Sequence, residues 1–166
     1  TTNRKLSEYD LLEQWGKKVV VKAKYDGKIC ALKKYTVMNA ESRKKFERET
    51  KILQRLKHRL IVQIEATFSE GNEFFVQMPF YPMNLAEWNE QKFPTFLELK
   101  NIFNKILHAI SYVHREGIIH CDIKPSNILM TAEGEPVLAD FDVSRDLTKL
   151  TATRTLVYGT ADYMVM

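Results

Sequence analysis

His120-Cys121-Asp122-Ile123-Lys124-Pro125-Ser126-Asn127 is the stretch on which the reading of this 166-residue chain turns. From Asp122 to Asn127 it holds a carboxylate, an ammonium and an amide. Apolar runs flank it, Ile118-Ile119 before and Ile128-Leu129-Met130 after, and Asp140-Phe141-Asp142 adds carboxylates downstream. Polar groups set between strand-like apolar runs are costly in a core, because each loses water and must find a partner. Their concentration here points to a site rather than to packing.

Composition bounds what kind of chain carries that stretch. With 45% hydrophobic and 28% charged residues it reads as a soluble globular protein, long enough for one domain or two small lobes. No apolar run approaches the ~20 residues that span a bilayer. Thr1-Thr2-Asn3-Arg4-Lys5 lacks the apolar core of a signal peptide. Cys30 and Cys121 show no disulfide-framework spacing, so a reduced, cytoplasmic setting is expected, with the nucleus left open. The net charge of +4 is uneven: residues 1–60 hold 17 Lys/Arg against 7 Asp/Glu, and residues 61–166 hold 8 against 14. A basic first part could meet nucleic acid or polyphosphate. No RNA- or DNA-binding motif stands beside it, so a solvated helix face with exposed strand edges is the simpler reading.

Upstream of the central stretch, Val19-Val20-Val21 and Ile29-Cys30-Ala31-Leu32 are strand-like, and Asp26-Gly27 between them favours a tight hairpin turn. Lys33 ends the second run. Residues 39–57 predict a helix capped by Asn39, with Phe46, Leu53 and Leu56 near one face and Glu49 on or beside it. Ile61-Val62-Gln63-Ile64 and Phe74-Phe75-Val76-Gln77-Met78 predict two more strands, joined by a turn over 69–73. Pro79 and Pro82 then mark a linker between lobes. A short helix is expected near Leu85 to Trp88.

Residues 95–116 predict the clearest helix. Thr95 and Glu98 have capping-box spacing and Gly117 is a stop. Phe96, Leu99, Ile102, Phe103, Ile106, Leu107, Ile110 and Val113 recur at spacings of three and four. So wide a stripe predicts a core helix, on which His108 and His114 are expected to be structural. Beyond Gly117 come short strands at Ile118-Ile119, Ile128-Leu129-Met130 and Val137-Leu138-Ala139, the last two forming a hairpin. From Ser144 a polar, threonine-rich loop is expected.

In order and spacing, these pieces resemble the eukaryotic protein kinase domain. That family's set is a lysine after an apolar strand, a helix glutamate, a His-Arg-Asp catalytic loop and an Asp-Phe-Gly turn. Here they read Ala31-Leu32-Lys33, Glu49, His120-Cys121-Asp122-x-Lys124-x-x-Asn127 and Asp140-Phe141-Asp142, followed by Gly159-Thr160-Ala161-Asp162-Tyr163-Met164. The resemblance implies an α+β, two-lobed fold. Its parts would be an antiparallel-sheet lobe with one helix over residues 1–78, a hinge over 79–84 and a partial helical lobe over 85–166.

It also implies a serine/threonine kinase, a transferase moving the γ-phosphoryl of Mg-ATP to a protein hydroxyl. Lys124 followed by Pro125, and Gly159-Thr160, resemble the serine/threonine rather than the tyrosine branch. By resemblance, Lys33 holds the α- and β-phosphates and Glu49 fixes it. Asn127 and Asp140 hold Mg2+, Asp122 orients the substrate hydroxyl as base, and Lys124 offsets charge on the γ-phosphate. Val20, Ala31 and Leu129 sandwich adenine, Gln77 is the gatekeeper, and Met78 to Phe80 form the hinge. Leu53, Ile64, His120 and Phe141 stack as a spine. The implied partners are ATP and a protein substrate, with neither a membrane nor a nucleic acid.

Four departures from the family pattern stand out. Glu13, Trp15 and Lys18 occupy positions of the glycine-rich phosphate loop, leaving Gly16 alone. Cys121 replaces the arginine that pairs with a phosphorylated activation loop. Asp142 replaces the glycine of Asp-Phe-Gly. Val165-Met166 stands where Ala-Pro would be, and the helices that follow in the family are not present. These departures predict a fragment of low activity. They also raise a rival reading, a pseudokinase that serves as a binding or scaffolding module, which the intact polar set opposes.

Overall fold

The computed structural model describes residues 2–15 and 19–149. The chain divides into two units, one formed by residues 1–54 with 63–80, the other by residues 55–62 with the chain from Tyr81 onward. The threonine-rich stretch from Thr151, Gly159–Met166 and the Gly16-Lys17-Lys18 loop lie outside the described residues.

The first unit is built on five antiparallel strands: β1 (Tyr9–Leu11), β2 (Val20–Tyr25), β3 (Lys28–Thr36), β4 (Ala66–Glu70) and β5 (Glu73–Pro79), in the order β1-β2-β3-β5-β4. Asp26 and Gly27 turn β2 into β3 with φ of 47° and 75°, the left-handed pair that matches the twist of a two-residue hairpin. Side chains alternate across the sheet. Tyr9, Val21, Ala23, Cys30, Leu32, Phe68 and Phe75 form an apolar cluster, with Trp15 packed on it. Phe68 and Phe75 stack with ring centroids 4.9 Å apart.

Helix α1 (Ala40–Arg55) starts where Asn39 Oδ1 accepts the Ser42 amide at 2.9 Å. It buries Phe46, Glu49, Thr50, Ile52 and Leu53. A buried glutamate in that list signals a partner across the helix–sheet contact.

Ile61-Val62-Gln63-Ile64 does not form the expected strand. Ile61 makes an isolated parallel bridge to Leu138, and Leu60 and Val62 hydrogen-bond Leu138 through their backbones. The pairing strand starts at Ala66, and the turn narrows to Gly71-Asn72 because Ser69 and Glu70 pair with Phe74 and Glu73. The apolar run is therefore spent on tertiary contact, not on a ladder.

In the second unit, β6 (Met83–Asn84) leads into α2 (Leu85–Lys92) and then α3 (Phe96–Arg115). Both helices open with a capping box, Asn84 with Glu87 and Thr95 with Glu98. Asn84→Ala is expected to lower stability by about 1 kcal/mol in urea unfolding, since the Glu87 amide loses its acceptor. Strands β7 (Ile118–Ile119), β8 (Ile128–Met130), β9 (Pro136–Leu138) and β10 (Arg145–Asp146) complete it, with sheets ordered β6-β8-β9 and β10-β7. Strand β10 and the 3-10 turn Leu147–Lys149 replace the start of the expected polar loop. Gly117 takes φ of 70°, and a Cβ there would lie 2.7 Å from Thr148 Cγ2, so this stop is also a close approach.

The α3 stripe is buried only in part. Ile102, Ile106, Ala109 and Val113 are covered, whereas Phe96, Leu99, Phe103 and Leu107 are exposed. No described helix is long and apolar enough to cross a membrane.

Candidate active site

The first unit carries Lys33. It lies on β3 between Val20 of β2 and Val76 of β5, so its side chain shares a face with theirs. Its Nζ meets Glu49 Oε1 at 2.9 Å, with the two side chains 12% and 3% exposed. So buried a carboxylate requires a charge partner, and the lysine supplies it. Tyr35, two residues along the same strand, donates its hydroxyl to Glu49 Oε2.

The second unit carries a polar cluster of its own. Lys124 Nζ lies 2.9 Å and Asn127 Nδ2 2.8 Å from Asp122 Oδ2, and the same amide donates to the Asp122 carbonyl at 2.9 Å. A 3-10 turn, Pro125–Asn127, closes this loop, and Asn127 is buried. Ala139 donates its amide to the Asn127 carbonyl at 2.9 Å, which brings Asp140 beside Asn127. Asp140 takes φ of 62° and is exposed. A left-handed, non-glycine residue there marks backbone strain of the kind found at functional sites.

His120 ties the loop together from beneath. Its Nδ1 accepts the Asp122 amide at 3.3 Å, so its Nε2 donates to the Ala139 carbonyl at 2.9 Å. Its ring meets Phe141 edge-on at 4.6 Å. Burial pushes the imidazole below its ordinary value, against the opposing pull of the Ala139 carbonyl and the Asp122 charge. His58 is likewise lowered, mainly by burial. An unfolded histidine binds a proton as pH falls through about 6.5, and these two folded ones resist it. Their stabilisation is therefore complete above that pH and lost below it. The urea midpoint should fall on acidification through that range, and a midpoint that rises would contradict this.

The protein kinase domain family matches residues 14–165. This chain belongs to that family. Among its relatives, a bifunctional serine/threonine-protein kinase/NEDD4-like E3 ubiquitin-protein ligase of Dictyostelium discoideum is 31% identical, covering 88% of this chain and 8% of the relative. Serine/threonine-protein kinase Nek1 of Mus musculus is 31% identical over 90% of this chain and 13% of its own length. Cyclin-dependent kinase 20 of Homo sapiens is 32% identical over 87% and 48%. The chain thus spans less than half the length of each of these three.

The strand register places one expected site residue, Gln77, on the sheet face opposite Lys33. Gln77 pairs with Leu32, so it faces the apolar cluster and not the side of Lys33. There it is buried, accepts from Tyr9 Oη at 2.6 Å and from Arg4 Nη1, and donates to Glu65 Oε2 at 2.7 Å. Met78 pairs with Ala31 and shares the face of Ala31, Val20 and Lys33. Met78, not Gln77, therefore lies on the face of Lys33.

Phe80 lies under Lys22, whose Nζ is 4.5 Å from the ring centre. Leu129 is half-buried opposite Asn84 and Val137. Trp15, at a glycine position of the phosphate loop, packs its ring 6.0 Å from Phe75 and under Lys34, on the face opposite Lys33. Cys121 takes φ of 67°, and burial raises its thiol, so it stays neutral where the family carries a cation.

Tyr35 is the residue that the sequence reading missed. The signal was present: strand period two places it on the Lys33 face.

Proposed function

We propose that this kinase domain transfers the γ-phosphoryl of Mg-ATP to a serine or threonine hydroxyl of a protein substrate. The observation that carries the reading is the Asp122 carboxylate held by Lys124 and Asn127. Phosphoryl transfer needs positioning and charge compensation more than covalent help, and this loop supplies both. Asp122 accepts the hydrogen bond of the substrate hydroxyl and takes its proton. Lys124 keeps the carboxylate oriented and offsets charge on the transferred group. Lys33, fixed by Glu49, binds the α- and β-phosphates, and Val20, Ala31, Met78 and Leu129 present apolar surface to adenine.

The donor set fits magnesium. Asn127 commits its Nδ2 to Asp122, which leaves its amide oxygen as the ligand atom, and Asp140 adds an exposed carboxylate. Both are hard oxygen donors of the kind Mg2+ prefers. Bound by them, Mg2+ would neutralise phosphate charge.

Two substitutions test the nucleotide face. Met78→Ala is expected to improve binding of an ATP analogue bearing a bulky N6 substituent, whereas Gln77→Ala is expected to lower stability and leave that preference unchanged. Competition titrations with the analogue and urea unfolding check the pair. The reverse pattern would assign the gatekeeper role to Gln77.

A further inference from the structure

The Lys33–Glu49 pair has a third member, Tyr35. Its hydroxyl donates to Glu49 Oε2 while Lys33 Nζ holds Oε1 at 2.9 Å. The Tyr35 ring is itself fixed. It meets Phe46 of α1 edge-on at 5.2 Å, and Phe46 in turn packs 4.9 Å from Phe74, the β5 partner of Tyr35. The ring also lies 5.1 Å from Lys33 Nζ, within range of cation–π attraction.

A glutamate carboxylate turns readily about its last torsion unless both oxygens are engaged. Strand β3 therefore grips Glu49 at two points, two residues apart on one face. The division of labour follows from charge. When Lys33 turns part of its hydrogen-bonding capacity to a phosphate, its hold on Glu49 is shared. A second, neutral donor keeps the carboxylate in place without adding charge.

We infer that Tyr35 is a positioning residue for nucleotide binding, acting through Glu49 to hold Lys33 in its phosphate-binding pose. The inference rests on the nucleotide role proposed for Lys33, and the experiment separates the two. Mg-ATP affinity is measured by calorimetry for the unmodified chain, Tyr35→Phe, Lys33→Met and the double variant, with circular dichroism of each. Tyr35→Phe keeps the ring and its contacts and removes only the hydroxyl.

The expected result is a roughly three- to tenfold loss of affinity in Tyr35→Phe and no further loss when it is added to Lys33→Met. In transfer assays KM for ATP should rise by the same factor with kcat retained. Unchanged affinity in Tyr35→Phe would overturn the inference while leaving the Lys33 reading intact. So would the same loss in both backgrounds, which marks a merely structural residue, or a fall in kcat at unchanged KM. Lys33→Met binding as tightly as the unmodified chain would overturn the nucleotide role of Lys33, and this inference with it. Should Lys33→Met fail to fold, Glu49→Gln takes its place in the cycle with the same expectations.

Discussion

Asp122→Asn is expected to lower the rate of phosphoryl transfer to a protein hydroxyl by roughly 10²- to 10⁴-fold and to leave Mg-ATP affinity unchanged. The amide matches the carboxylate in shape, so the loop persists: Asn127 still has an oxygen to donate to. What is lost is a group able to take a proton, and general-base contributions are of that size. Lys124 also loses the charge it faces at 2.9 Å. Initial rates at saturating ATP measure the effect. A variant that transfers at the original rate would remove Asp122 from the chemistry.

Lys33→Met is expected to act twice. It removes the ammonium that binds phosphate, so Mg-ATP affinity falls on the order of 10²-fold. It also removes the ammonium that Glu49, 3% exposed, meets at 2.9 Å. Removing one partner of a buried pair costs about 3 kcal/mol, because the remaining charge keeps its desolvation cost without the attraction. The methionine replaces most of the lysine stem, so packing is largely kept. Nucleotide titration and urea unfolding read the two losses separately. Stability equal to that of the unmodified chain would show that Glu49 does not depend on Lys33.

The central loop was legible because its chemistry is local. Asp122, Lys124 and Asn127 lie within six residues, and the structure joins them by the 3-10 turn Pro125–Asn127. The place of Glu49 beside the α1 stripe predicts its burial, but its partner Lys33, sixteen residues away, was expected only from the family resemblance, because tertiary packing sets that contact.

Gln77 shows what linear reading leaves open. In a strand, a shift of one residue exchanges the two faces, and the register of β5 is fixed by its pairing with β3, some forty-five residues upstream. Ile61–Ile64 fails for a related reason: an apolar run shows that a segment is covered, not that it pairs. Half of the α3 stripe lies exposed, because periodicity identifies an apolar side without saying what covers it.

The most direct test of the account is transfer of label from γ-labelled ATP to a protein acceptor, run with and without Mg2+ and followed by phosphoamino-acid analysis. The account predicts Mg-dependent label on serine or threonine that is lost in Asp122→Asn. Label that survives in Asp122→Asn, or no transfer together with no Mg-dependent ATP binding, would contradict it.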